Sequence, residues 1–246
     1  MSRGTSLPPR RYSERMRPLA IVLRVLIAAA VIIAIVGQLS LSLSNWRDAG
    51  IDNPIVQVVN FFSFFTIESN VLTVVVALLG AWFLIRGDHT DRGWYLGLRA
   101  ATVTYMATTG IVYNLLLRGI ELPQGTTLGW SNEILHVVAP AYMVLDWLFA
   151  PGRRPMAWKS VWPILIFPLA WGIYTLVRGP LTFDAVTGRL YWYPYPFLNP
   201  NTSPQGYVSV AFYIVLIAAV IGLVGIGVVW LSTKRLPAIS RASTAA

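Results

Sequence analysis

A threonine, a histidine and two asparagines set in apolar surroundings are the groups of this 246-residue chain that could do chemistry. Thr66 lies in NFFSFFTIESN, Asn60–Asn70, and on a helix Asn70 and Thr73 share its face. Asn132, His136 and Pro140 recur at i, i+4 and i+8 within SNEILHVVAPAYMVLDW, Ser131–Trp147. Pro140 removes the hydrogen bond to the carbonyl of residue 136 and should bend the chain beside the imidazole. A threonine hydroxyl becomes a nucleophile when a base takes its proton, and a histidine can take that proton and return it to a leaving alkoxide. Ester hydrolysis through an acyl-threonine is the chemistry this pair would do. Its oxyanion needs N–H donors, which Asn132 and Asn70 both carry. The same residues have plainer uses. A threonine in a membrane helix commonly bonds its own i−4 carbonyl, and a buried histidine can be a neutral, hydrogen-bonded packing group.

Other ionisable residues interrupt the apolar stretches, where they are costly. Glu68, Glu133, His136 and Asp146 together would suit a proton relay in a carrier. Arg24 and Arg99 lie within one or two turns of the ends of their stretches, where long side chains snorkel to the interface. Asp146 is expected to pair with Arg99 or Arg153. His89, in DHTDR, reads as solvated. The chain has no cysteine, which excludes disulfides and a thiolate nucleophile. One buried histidine without clustered carboxylates gives no reason to expect a metal, and no cofactor is implied.

The elements that must position these groups are transmembrane helices. Hydrophobic residues make up 56% of the chain and charged residues 12%, with a mean hydropathy of +0.61. An ordinary soluble domain carries about 25% charged residues. Six apolar stretches near the ~20 residues that span a bilayer as helix can be read. They cover about 19–43, 61–85, 94–117, 128–149, 161–177 and 207–231, the fourth being the least hydrophobic. The expected fold is an all-α integral membrane protein, a six-transmembrane-helix bundle, with no alternation that would suit a β-barrel.

The net charge of +9 sits mostly at the ends of these stretches, which makes it a topology signal rather than a nucleic-acid footprint. Thirteen Lys and Arg fall on one side (among them Arg3, Arg10, Arg86, Arg153, Lys159, Arg235 and Arg241) and four on the other, Arg47, Arg118, Arg178 and Arg189. Both termini are therefore expected in the cytoplasm. Residues 1–18 and 233–246 read as cytoplasmic tails around a membrane domain, 19–232. Arginine outnumbers lysine 17 to 2, a composition associated with GC-rich bacterial genomes, so a bacterial inner (plasma) membrane is the expected location. Nothing in the sequence indicates an oligomeric state.

Depth adds what spacing does not. Entering at about Phe61, the second span puts Thr66 roughly 8 Å deep, and entering at about Leu128, the fourth puts His136 roughly 12 Å deep. Both lie in the outer half of the bundle. A short connection holding Glu121 and Pro123 and a long one, 178–206, lie on that side. The long loop carries LYWYPYPFL, Leu190–Leu198, which is either an interfacial aromatic anchor or a cap over the bundle. As a cap, it should rest Tyr191, Trp192 and Phe197 near Thr66 and His136.

Three blocks in this order resemble the androgen-induced protein family, which includes the androgen-dependent TFPI-regulating protein: FFT (Phe64–Thr66), N-x3-H-x3-P (Asn132, His136, Pro140) and YPFL (Tyr195–Leu198). The likeness covers about 61–207. It implies a multi-span hydrolase of fatty acid esters of hydroxy fatty acids, with Thr66 as nucleophile and His136 as its partner. Glu68 and Asn70 depart from the pattern of the animal members. The lipid ester and the bilayer are the partners this reading implies. Tyr195, Phe197 and Glu68 are candidate pocket residues, and Asn132 and Asn70 candidate oxyanion donors or orienting groups. A transporter and a non-catalytic lipid-binding protein are the alternatives that the residues leave open.

Overall fold

The computed structural model describes residues 11–118 and 127–234, which are mainly helical and contain no β-strand. The tail arginines Arg3, Arg10, Arg235 and Arg241, and Glu121 and Pro123 of the short connection, lie outside the described residues. Five helical stretches among the described residues are long and apolar enough to cross a membrane: Met16–Asp48, Phe65–Ile85, Gly93–Leu117, Trp158–Leu181 and Tyr207–Ser232. The first belongs to α1 (Arg11–Asp48), which extends past both ends of its apolar run.

The second apolar stretch is not one helix. Helix α2 (Ile55–Phe62) stops at Ser63, and α3 (Phe65–Ile85) starts after Phe64, whose backbone is extended with φ −72° and ψ 128°. No proline or glycine causes this break. Residues of α7 (Val161–Arg178) hold it open instead. The Trp171 indole N–H donates to Ser63 O at 3.0 Å, the Tyr174 hydroxyl pairs with Ser63 Oγ at 2.9 Å, and Arg178 donates to Asn60 Oδ1 at 2.7 Å.

The remaining helices complete the bundle. Helix α4 (Gly93–Val112) continues into a π turn, Tyr113–Leu117. The fourth stretch is helical from Gly129 to Phe149 as α5 (Gly129–Glu133), a π turn over Ile134–Val138, and α6 (Ala139–Phe149). It is not one of the five stretches above. The missing N–H of Pro140 falls just after its π turn, so the expected distortion beside His136 takes the form of a widened turn. Gly110 lets α4 approach at this level, since a Cβ there would lie 3.1 Å from Pro140 Cβ. Finally, α8 (Tyr207–Ser232) packs beside α4 and α7.

Helices α3 and α4 form the centre and are largely buried, whereas α7 and α8 are mostly uncovered and leave large apolar side chains exposed. Such faces suit lipid, not water.

Arg24 and Arg99 do not snorkel. They are 1% and 0% exposed and close an ion-paired network at the end of α3 away from Thr66. Arg24 Nε and Nη2 grip Asp146 at 2.9 and 3.2 Å. Arg99 donates to Asp146 Oδ2 at 3.0 Å, to Asp146 O at 2.6 Å and to Asp91 Oδ2 at 2.7 Å. Asp146 thus takes Arg99, as expected, together with Arg24; Arg153 instead donates to Trp147 O at 2.6 Å, near the end of α6. Gly80 makes room for this network, since a Cβ there would strike Tyr95 Oη and the Arg24 guanidinium.

Candidate active site

The break before Phe64 makes Thr66 the second residue of α3, not a mid-helix residue. The first backbone N–H groups of a helix have no intrahelical partner and carry the positive end of its dipole. Thr66 is 6% exposed, and its hydroxyl does not bond an i−4 carbonyl. Instead Tyr195, from the long loop, meets it twice. Thr66 N–H donates to Tyr195 Oη at 3.3 Å, and Thr66 Oγ1 lies 3.2 Å from the same atom. Burial pushes the Tyr195 phenol up to about 12, so it is a neutral hydroxyl here.

The long loop does pack over this end of the bundle. Phe64 meets the rings of Trp192 and Tyr195 edge-on, with centroids 5.7 and 5.5 Å apart, and Phe197 stacks on Tyr195 at 5.2 Å. Tyr191 sits at the margin, against Tyr193. The chain doubles back over Gly179, whose carbonyl accepts Trp192 N–H at 2.9 Å; a Cβ on Gly179 would strike the Tyr193 ring.

An apolar cavity of about 260 Å³ opens beside Thr66. Phe65 and Thr66 of α3, Thr108, Thr109 and Tyr113 of the third span, and Tyr195 and Phe197 of the loop line one side. Pro168, Leu169 and Gly172 of α7 and Ile214, Ile217 and Ile221 of α8 line the other. Two of the three expected pocket residues, Tyr195 and Phe197, therefore line it; Glu68 does not, and its buried Oε2 has no hydrogen-bond partner.

His136 is 9% exposed and is not among the lining residues. Its ring stacks on Tyr113, centroids 4.1 Å apart, and Tyr113 does line the cavity. His136 Nδ1 lies 3.0 Å from Asn132 O. A carbonyl only accepts, so this bond places the proton on Nδ1 and leaves Nε2 as the basic nitrogen of the neutral ring. Asn132 thus orients the imidazole through its backbone, while its side-chain amide donates to the Tyr113 hydroxyl. Asn70 also works structurally. Its amide donates to Thr66 O at 2.9 Å and to Leu135 O at 3.1 Å, tying α3 directly to the histidine's π turn. Neither asparagine amide is bonded to Thr66 Oγ1, and among the described residues no hydrogen bond joins Thr66 to His136.

Sequence reasoning missed two members of the site. Tyr113, which no motif marks, is both the histidine's stacking partner and a cavity wall. The helix start at Phe65–Thr66 supplies the backbone N–H donors that a mid-helix threonine would lack. Among the described residues, no three His, Asp or Glu side chains gather in a way that could hold a metal ion. No family model, curated protein or solved structure matches the chain.

Proposed function

We propose that the protein is an intramembrane hydrolase of lipid esters in which Thr66 is the nucleophile and His136 the base. The observation that carries this reading is the position of Thr66: a buried hydroxyl at the N-terminus of a long helix, on the wall of an apolar cavity. An acyl chain laid in the cavity would bring an ester carbonyl to the hydroxyl. The backbone N–H groups opening α3, with Thr66 N–H now on Tyr195 Oη, face developing negative charge. In the acylation step, Thr66 Oγ bonds to the acyl carbon and its proton passes to His136 Nε2. The carbon–alkoxide bond breaks and the alkoxide leaves with that proton; water then repeats the sequence to release the acid. The imidazole must close on Thr66 when substrate replaces the Tyr195 contact, as catalytic hydrogen bonds often tighten only in the complex. The resemblance of FFT, N-x3-H-x3-P and YPFL to the androgen-induced protein family points to the same pair, and to fatty acid esters of hydroxy fatty acids as the substrate.

A relay-type transporter is less well supported, because two of its three acids are engaged separately. Asp146 is held by Arg24 and Arg99, and Glu133 by Arg118 at 2.7 Å. A non-catalytic lipid-binding protein is the second reading, favoured by the engagement of Thr66 Oγ1 with Tyr195. We further propose that the helical run Gly129–Phe149 is the sixth crossing, that both termini are cytoplasmic, and that the membrane is a bacterial inner membrane. The charge asymmetry supports this orientation. Protease access to a C-terminal tag from outside intact cells would overturn it.

The decisive experiment is lipid-ester turnover and fluorophosphonate labelling by detergent-purified protein. Thr66→Ala and His136→Ala are each expected to lower turnover by roughly a thousandfold or more, and the double variant no further, because the two groups act as a unit. Thr66→Ala should also abolish labelling. Labelling and turnover unchanged in Thr66→Ala would remove the nucleophile. A wild type that binds lipid esters but neither turns them over nor labels would establish the second reading.

A further inference from the structure

Helix α4 carries a run of threonines that differ in how their hydroxyls are used. Thr102 Oγ1 donates to Leu98 O and Thr104 Oγ1 to Ala100 O, each at 2.9 Å, the usual i−4 bond. Thr108 and Thr109 are also buried, at 2% and 6% exposure, yet neither hydroxyl has a hydrogen-bond partner. A buried, unsatisfied hydroxyl is costly, and the i−4 bond was there to be made. These two threonines also line the cavity beside Thr66, whereas Thr102 and Thr104 do not. Tyr113, one turn beyond Thr109, lines the same wall and bears the histidine's stacking contact.

We propose that the hydroxyls of Thr108 and Thr109 form a second polar subsite within the apolar cavity. The ligand it selects is a long-chain amphiphile carrying an oxygen acceptor inside its chain, separate from the ester presented to Thr66. This rests on the reading of the cavity as a lipid site. A saturated chain leaves both hydroxyls dry and unpaired. A chain with an in-line oxygen at the right position accepts from one or both and removes that penalty. A site with buried groups that need a partner discriminates against ligands lacking it far better than an apolar wall discriminates by shape. Thr108 and Thr109 therefore set which chain is accepted, while Thr66 sets what is done to it.

The test is competitive binding to purified protein carrying Thr66→Ala, so that no ester is consumed, using methyl octadecanoate and its positional series of in-chain ketones. One ketone position, or two adjacent ones, should bind about tenfold or more tighter than the unsubstituted ester, as one good hydrogen bond in a dry site provides. The isosteric double variant Thr108→Val with Thr109→Val should erase that preference, so that ketones and plain ester bind alike, while thermal unfolding in detergent shows that the protein is folded. The matching pair of serine substitutions should retain the preference. If every ketone binds like the plain ester, or the valine variant keeps the preference, the subsite is overturned and the lipid-site reading stands. If neither plain nor substituted ester binds, the lipid-site reading falls and the subsite with it.

Discussion

The two ends of α3 handle buried polar groups in opposite ways. At one end Arg24, Arg99, Asp146 and Asp91 are all enclosed and joined by ion pairs of 2.7–2.9 Å, with Gly80 cut back to admit them. At the other end Thr108, Thr109 and Glu68 keep unpartnered oxygens, a helix start is covered by one tyrosine hydroxyl, and a cavity stands open. A buried polar group without a partner weakens a fold. The charged end is therefore organised for holding helices in one arrangement, and the cavity end for receiving something. Two π turns, Tyr113–Leu117 and Ile134–Val138, also belong to the cavity end, and such widened turns concentrate at functional sites.

The comparison is broken most severely by removing the shared carboxylate. Asp146→Ala leaves two buried guanidinium groups with only Asp91 between them, a change expected to cost about 3–5 kcal/mol. Thermal unfolding in detergent should show a large fall in Tm, or no folded protein at all. Thr66→Ala should leave stability within about 1 kcal/mol of wild type, since it removes one methyl and one hydroxyl beside an existing cavity. Equal losses of stability from the two variants would erase the distinction between the ends.

A smaller effect tests the fit of the charged end alone. Gly80→Ala drives a methyl group into Tyr95 Oη and the Arg24 guanidinium, neither of which can move without breaking an ion pair or the bond from Tyr95 to Val76 O. Overpacking of this kind should cost about 1–3 kcal/mol. Ester turnover, measured below the new Tm, should be unchanged.

How much of this was legible in the sequence differs between the same two ends. The helices themselves were, because long apolar runs in a chain with so few charges have few other uses. Of the charged network the Arg99–Asp146 pair was read, but Arg24 and Asp91 were missed because each arginine was weighed against the interface. Asp91 and Asp146 were both visible as partners, and matching cations to acids would have buried all four. At the cavity end, the loop's aromatic run allowed either an interfacial anchor or a cap, and its contacts with Phe64 decide for the cap. The break at Ser63–Phe64 could not be read, because its cause lies in Trp171 and Tyr174, over a hundred residues away. Pro140 signalled a bend beside His136, which takes the form of a π turn, and nothing local signals the one at Tyr113–Leu117.

The smallest expected effect sharpens the comparison from the cavity end. Tyr195 covers the start of α3 from a buried position, and burial has raised its pKa from the ordinary value near 10 to about 12, against the opposing pull of its hydrogen bonds with Thr66. The unfolded chain therefore loses this proton at lower pH than the folded one. Between those two values the folded state binds more protons, so stability is fully present below pH 10 and falls as pH rises toward 12. One such group accounts for about 1 kcal/mol by pH 11. Tyr195→Phe should lower Tm slightly at pH 8, where the hydrogen bonds are lost, and should flatten the further fall in Tm between pH 9.5 and 11 relative to wild type. An identical slope in both proteins would mean that Tyr195 does not carry the alkaline weakening. The N-terminus of α3 would then be held by its packing against Phe64 and Trp171 and not by the phenol.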